Sequence, residues 1–363
     1  MNVLFYSPFV RPHDAVASGA ARMANLLIRA LEGADMRVQS PHLPLTFDAT
    51  CDVAYQARAQ AASLEAADAL LAAIRAGRMA RPDIFFSYHV YYKSPDWIGP
   101  RIAAALGIPY VVAEGSHAPK RAVGAWANAH AAATAALSAA RLHLAMTAFD
   151  RYCIEQLCPG RVHDLKPFID TEAFSGKRAA PSNGTRLLTV SMMRSVRKRD
   201  SHALIAEALR YLPAGVFTLD IAGDGDHREE IERLYDPVTN RLRVRFLGAQ
   251  TPAQVQRLML SADMLVWPGI GEAYGLVYLE AQACGLPVVA CRNRGVPDVT
   301  MDGVSAILSA PGDVAGLGVS IMALHRSEAM RRRLSDAGQA FVRTQRSLVA
   351  ASARLRELLG AAG

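Results

Sequence analysis

The sequence predicts an α/β protein made of two Rossmann-like domains, with parallel sheets facing a central cleft. Three observations predict it. Short apolar runs alternate with longer segments of helical period from the first residues onward. The alternation restarts near residue 186, after a Gly/Ser/Pro-rich stretch. Several apolar runs end in polar or glycine-bearing loops that feed straight into a helix, which is how open α/β sheets present ligand sites. At 363 residues, 51% apolar and 20% charged, the chain is long enough for two cores of ordinary size and is neither disordered nor fibrous.

NVLFYS reads as the first strand and ARMANLLIRALEGA as the helix after it, with Met23, Leu26, Leu27, Ala30 and Leu31 at helical period. Ser18 and Gly19 stand at the helix start and Arg22 one turn in. They are a candidate anion or sugar contact, against a plain N-cap with a surface arginine. Residues 50–80 read as an Ala-rich helical insertion without chemical signal. RPDIFFSYHV is a strand running into YYKSPDWIGP, a stretch dense in Tyr88, His89, Tyr91, Tyr92, Lys93 and Trp97. Flat aromatic faces with polar tips suit stacking on sugar rings and equally suit a domain edge. IPYVVAEGSHAPKR leaves Glu114, His117, Lys120 and Arg121 at the carboxyl end of a buried strand. Residues 122–140 contain no Lys, Arg, Asp or Glu, but they are mostly Ala and too weakly hydrophobic for a membrane span; a packed helix is expected. RLHLAMTAFDRYCIEQL is a strand and helix, and SGKRAAPSNGT has linker composition. The domains are therefore set at 1–175 and 183–340, with a terminal helix at 341–363.

The second half opens on the strand LLTVSMM and a helix beginning near Arg199, with Leu204, Ile205, Ala208 and Leu212 as its buried stripe. Arg194 and Lys198 stand at the strand's end, where two cations beside a helix start can hold a diphosphate and support it as a leaving group. Arg197 and Arg199 read as surface charges. In FTLDIAGDGDHREEIERL, Gly223 and Gly225 read as cleft-lining glycines and Asp224 as a nucleoside or metal contact, since Asp224 and Asp226 argue against phosphate at close range. LRVRFLG ends a strand at Leu247 and Gly248; the helix PAQVQRLMLSA and the strand DMLVWP follow.

GEAYGLVYLEAQACGLPVVA, residues 271–290, then reads as a glycine-punctuated loop, a short helix, a Gly285/Pro287 stop and a buried strand. Leu276, Glu280 and Cys284 fall on one stripe at spacing four, so a carboxylate sits in an apolar face. Left unpaired there it costs several kcal/mol or more. Tyr274, Gly275, Leu276 and Val277 present backbone amides where the helix begins, and such starts bind anions, most often phosphate. With Glu272 in the preceding loop, the stretch reads as two carboxylates for sugar hydroxyls flanking amides for phosphate. The alternative is an ordinary core helix with Glu280 paired to an arginine.

Glu272, seven residues, Glu280, then AQACGLPVVA, within the run from WPGIGEAYGL to GVPDV, resembles the E-x7-E signature of the retaining, nucleotide-sugar-dependent glycosyltransferases called family 4, which have the GT-B fold. Arg194 and Lys198 match that family's Arg and Lys around a strand-to-helix turn. The resemblance implies transfer of a sugar from a UDP-, GDP- or ADP-sugar to a saccharide or lipid-linked acceptor. It implies retention by front-face attack, with the leaving phosphate assisting deprotonation of the acceptor. Glu272 would hold donor-sugar hydroxyls, Glu280 the ribose, Arg194 and Lys198 the leaving diphosphate, and the backbone at Leu247 the base. Gly19 would lie in a loop facing the cleft, and the terminal helix would cross back to the first domain. The family's histidine after the fourth strand falls here on Gly115, which leaves Glu114, rather than His117, as the polar contact to the transferred sugar. Arg22, Lys120 and Tyr88 complete the acceptor-side candidates.

The net charge of +7 lies mainly after Glu172, since up to that residue stand 16 of the 40 Lys+Arg and 15 of the 33 Asp+Glu. An anionic small molecule accounts for it, and no aromatic-interleaved basic run or zinc-finger spacing points to nucleic acid. No His/Asp/Glu cluster has metal-ligand spacing, so neither a metal nor another cofactor is expected. Cys51, Cys153, Cys158, Cys284 and Cys291 form no paired framework and no CxxC, and MNVLFYSPFVRP has no secretory character. A cytoplasmic protein is expected, with peripheral contact to the inner face of the membrane open to an enzyme of lipid-linked acceptors. Two readings compete with a transferase: a GT-B nucleotide-sugar epimerase and a non-catalytic nucleotide-sugar-binding protein.

Overall fold

A computed structural model describes residues 1–12, 18–179 and 184–360; residues 180–183 of the expected linker lie outside the described residues. The chain forms two compact units that divide at Pro167/Phe168, and from Leu348 onward it belongs with the first unit again. Each unit is built on one six-stranded sheet in which all neighbours are parallel. The α/β class with two Rossmann-like domains expected from the sequence is the class observed.

In the first unit the chain runs β1 (Asn2–Tyr6), α1 (Gly19–Glu32), β2 (Arg37–Gln39), α2 (Val53–Arg75), β3 (Ile84–Tyr88), α3 (Gly99–Leu106), β4 (Tyr110–Ala113), α4 (Ala127–Ala139), β5 (Leu142–Ala145), α5 (Ala148–Leu157) and β6 (Val162–Asp164). The strand order is β2-β1-β3-β4-β5-β6. β3, β4 and β5 are buried along their whole length, as expected of parallel strands covered on both faces. Ser18 starts α1 by accepting from the Ala21 amide at 3.0 Å, and Asp52 starts α2 by accepting from Ala54 and Tyr55 at 2.9 and 3.0 Å. The Ala-rich α4 packs with Ala129, Ala133, Ala136 and Leu137 buried. Among the described residues, no helix is long and apolar enough to cross a membrane.

The second unit runs β7 (Thr185–Val190), α6 (Val196–Leu209), β8 (Phe217–Ala222), α7 (Arg228–Tyr235), β9 (Arg243–Gly248), α8 (Pro252–Ser261), β10 (Met264–Val266), α9 (Leu276–Ala283), β11 (Val288–Cys291), α10 (Val296–Val299), β12 (Ala306–Ser309), α11 (Val314–Arg326) and α12 (Glu328–Gln345). The last helix, α13 (Leu348–Gly360), packs on α1, with Arg356 donating to the Gly33 carbonyl at 2.9 Å and pairing with Asp35 at 2.8 Å. The second sheet is ordered β9-β8-β7-β10-β11-β12. Counted within the unit this is 3-2-1-4-5-6, so the winding reverses between β7 and β10. In open parallel sheets, ligands bind at the carboxyl ends of the two strands flanking that reversal.

Two elements depart from the sequence reading: the last helix begins at Leu348 rather than at 341, since residues 341–345 complete α12, and α6 starts early. α6 begins at Val196, three residues before the expected start, which puts Arg197 and Lys198 in its first turn. Its inner face carries Ser201, His202, Ile205, Ala208 and Leu209; Leu204 is only half-buried and Leu212 lies beyond the helix. Two polar side chains outside the expected stripe therefore face inward as well, and both have partners at the site below.

Candidate functional site

α6 and the β10–α9 loop follow the two strands at the reversal point, and the first turn of the helix and the loop each contribute one half of an ion pair. Lys198 Nζ and Glu272 Oε1 are in direct contact, with side chains 23% and 15% exposed. The same Oε1 accepts a hydrogen bond from Trp267 Nε1 at 3.0 Å, and Lys198 Nζ stands 5.2 Å from the centroid of the Trp267 ring.

The loop holding Glu272 is pinned along its length. Tyr278 OH donates to the Trp267 carbonyl at 3.0 Å, Asn293 Nδ2 to the Pro268 carbonyl at 2.9 Å, and the Glu272 amide to the Gly269 carbonyl at 3.1 Å. From α6, Ser201 Oγ accepts from the Ile270 amide at 3.0 Å. His202, fully buried, sets Nε2 at 2.9 Å from Ser191 Oγ and Nδ1 at 2.9 Å from Tyr235 OH, with its ring 5.3 Å from that of Trp267. Burial, helped by the Lys198 charge, pushes the His202 pKa down to about 3, so the imidazole is neutral near pH 7. Gly275 has φ +81°, and a Cβ there would come within 2.7 Å of the Tyr278 ring. This glycine lets the chain turn tightly into α9.

At the start of α9 no side chain caps the helix, so the first-turn amides of Leu276 and Val277 have no acceptor within it. Tyr274 and Leu276 are 5% and 6% exposed; what they offer a ligand is backbone. Glu280 is buried as expected, 4% exposed, but in a helix of which every residue except Val277 is buried rather than on one apolar stripe. Burial and then the Glu280 charge push the Cys284 thiol up to about 12. Arg194 is exposed in the β7–α6 turn, its stem beside Gly225. Arg199 is taken up by Asp200 and Glu230 at 2.8 and 2.7 Å on the surface.

Gly223 has a packing reason of its own: at φ +139°, a Cβ would fall 1.7 Å from the Ser191 carbonyl oxygen, where β8 exits against β7. The Leu247 carbonyl accepts from Gln250 Nε2 at 2.7 Å and that of Gly248 from the Gly223 amide at 2.8 Å. Asp224 is used locally, accepting from the Gly225 amide at 2.9 Å and from Arg228 at 3.2 Å. Among the described residues no group of His, Cys, Asp or Glu is arranged to hold a metal ion.

The first unit has its own reversal, between β1 and β3, and an aromatic cluster fills it. Phe9, after β1, stacks on His89, after β3, at 4.5 Å; Tyr91 meets His89 at 5.1 Å and Tyr92 meets Trp126 at 5.1 Å. His89 Nδ1 lies 3.1 Å from Glu114 Oε1, and both residues have left-handed backbone, φ +66° and +55°. Such conformations cost about 1–2 kcal/mol each. Glu114 thus has His89 as a neighbour, whereas His117 faces His130 at 5.2 Å; burial and then the His130 charge lower the His117 pKa. Lys120 is exposed, Arg22 half-buried and Gly19 exposed at the start of α1. Tyr88 corrects the aromatic wall read from the sequence. As the last residue of a central strand covered on both faces it is fully buried and presents no surface to a saccharide. Phe9 and Trp126 take places that the sequence reading missed; the position of Phe9 just after a first strand was the available signal.

Residues 175–341 match the glycosyl transferases group 1 family. The glycosyl transferases group 1 match spans the second unit's sheet together with Arg194, Lys198, Glu272 and Glu280. Among curated proteins, the chain is 30% identical over 185 residues to a D-inositol 3-phosphate glycosyltransferase of Mycobacterium marinum, covering 48% of this chain and 40% of that protein. It is 32% identical over 151 residues to the lipopolysaccharide core biosynthesis glycosyltransferase LpsE of Rhizobium meliloti, covering 42% and 43%. The chain spans less than half the length of these curated relatives. Among solved structures, sucrose-phosphate synthase of Thermosynechococcus elongatus superposes with TM-score 0.74 at 17% identity, covering 100% of this chain and 99% of that one. Anabaena HepE, solved with UDP and glucose, superposes with TM-score 0.68 at 18% identity, covering 99% of each. At these identities the likeness shows the fold, GT-B.

Proposed function

We propose that the chain is a retaining glycosyltransferase of the family-4 kind, which moves a sugar from a nucleoside-diphosphate sugar to a saccharide or lipid-linked acceptor and needs no metal. The observation that carries the reading is the Lys198–Glu272 pair at the winding reversal of the second sheet, beside the uncapped start of α9. The second unit takes the donor. The diphosphate seats on the Leu276 and Val277 amides with Lys198 and Arg194, Glu280 meets the ribose, and Glu272 meets the sugar hydroxyls. Breaking the anomeric C–O bond builds positive charge on the sugar and negative charge on the departing phosphate, and cations and amides aimed at the latter lower the barrier. The leaving phosphate takes the acceptor proton, so the two glutamates are not a glycosidase pair. The first unit takes the acceptor beside Phe9, His89 and Glu114. HepE, with UDP and glucose bound, supports a nucleotide sugar as co-substrate.

The test is incubation with UDP-, GDP- and ADP-sugars and a panel of saccharide and glycolipid acceptors, following nucleoside diphosphate release and the anomeric configuration of the product by NMR. Transfer with retention is expected. An inverted product refutes the mechanism, and a donor isomerised without acceptor identifies an epimerase instead.

A further inference from the structure

We infer that Trp267 is a positioning residue for Glu272: its indole N–H shares Oε1 with the Lys198 ammonium and thereby reserves Oε2 for a ligand hydroxyl. The inference rests on the donor-site reading above.

Oε1 receives both cation and indole, on the one oxygen. The two donors differ in how easily they leave. Lys198 is a flexible ammonium, partly exposed, and an incoming diphosphate competes with Glu272 for it. Trp267 cannot follow. It is fully buried, its carbonyl is held by Tyr278 OH, its amide donates to the Val289 carbonyl at 3.0 Å, and its ring is backed by His202. When Lys198 turns to phosphate, the indole keeps the carboxylate anchored by the same oxygen and in the same direction. Trp267 therefore allows one lysine to serve the free site and the loaded one without releasing the glutamate that reads the sugar.

Trp267→Phe removes the N–H and keeps a ring under Lys198. Affinities are measured by calorimetry for the pairs UDP and UDP-glucose, GDP and GDP-mannose, and ADP and ADP-glucose, in wild type, Trp267→Phe, Glu272→Ala and the double variant. For the pair that binds, Trp267→Phe is expected to leave the diphosphate within about twofold and to weaken the sugar nucleotide roughly tenfold, a charge-assisted hydrogen bond's worth. In the Glu272→Ala background the same change should have no effect. Equal loss for diphosphate and sugar nucleotide, or the same loss in both backgrounds, overturns the proposal by making Trp267 merely structural. A ligand-free readout accompanies it: in indole-¹⁵N-labelled protein, Glu272→Ala should move the Trp267 N–H resonance and leave those of Trp97 and Trp126. An unmoved Trp267 resonance overturns the proposal whatever the nucleotides do. A moved resonance in a wild type that binds none of the six compounds overturns the donor-site reading, and with it the hydroxyl-taking role.

Discussion

Replacing Lys198 by Met removes the cation at the reversal point and keeps most of its stem. Removing one partner of a fully buried ion pair costs about 3–5 kcal/mol, whereas an exposed pair is worth about 0–1 kcal/mol. With side chains 23% and 15% exposed, and with the Trp267 N–H still on the abandoned carboxylate, Lys198→Met should cost about 1–3 kcal/mol. For a unit of this size that is a fall in Tm of about 3–10 °C. Loss of a group aimed at developing negative charge should lower kcat by about 10²–10³-fold. The double variant Lys198→Met with Glu272→Gln removes both charges, so most of the lost Tm should return while the rate does not. Differential scanning calorimetry and nucleoside diphosphate release read the two quantities separately. The reasoning is refuted if Lys198→Met keeps Tm within 1 °C or so and its rate within about twofold of wild type, or if the double variant is less stable than either single one.

Acid should destabilise the protein through two buried histidines: His202, pushed down to about 3, and His143, down to about 4, both chiefly by burial. Unfolded, each gains its proton as pH falls below about 6.5; folded, each stays neutral to its lowered value. Their contribution is thus complete above about 6.5 and is lost as pH drops toward the folded values, about 1.4 kcal/mol per pH unit for each. Urea titrations from pH 7 to 4 should show this, and His202→Gln should flatten the slope by about one proton; an unchanged slope would remove His202 from the account. Gly223→Ala drives a Cβ into the Ser191 carbonyl, against backbone that cannot yield, and should cost about 2–4 kcal/mol. Gly271→Ala meets the Arg197 side-chain stem at 2.2 Å and, at φ +73°, should cost only about 1–2 kcal/mol. Equal losses in denaturant midpoint would contradict the contrast.

The sequence made the periodic elements legible because period two and period 3.6 are written in neighbouring residues. Lys198 likewise stood out at one strand-to-helix turn, and Glu272 and Glu280 in a single stretch, the one in the loop before α9 and the other within it. That they serve one ligand was implied only by the family resemblance, and their direct contact was not foreseen, since Lys198 and Glu272 are 74 residues apart and meet because β10 pairs with β7 rather than with β9. His202 and Ser201 escaped notice for a related reason: polar residues on the inner face of α6 look like surface until their partners are known, the Ile270 amide for Ser201 and Ser191 and Tyr235 for His202. Trp267 read as the end of an apolar strand, and nothing in DMLVWP reveals that its N–H turns to a carboxylate five residues on. Tyr88 failed in the opposite direction, because a tyrosine at a strand end carries no mark of whether that end is covered.

The central claim, that the second sheet's reversal point grips a nucleoside diphosphate, is tested most directly by titrating UDP, GDP and ADP into wild type, Lys198→Met and Glu280→Ala. One of the three should bind saturably to wild type and at least roughly tenfold more weakly to each variant. No binding by any of them, or equal affinity in all three proteins, would contradict the account.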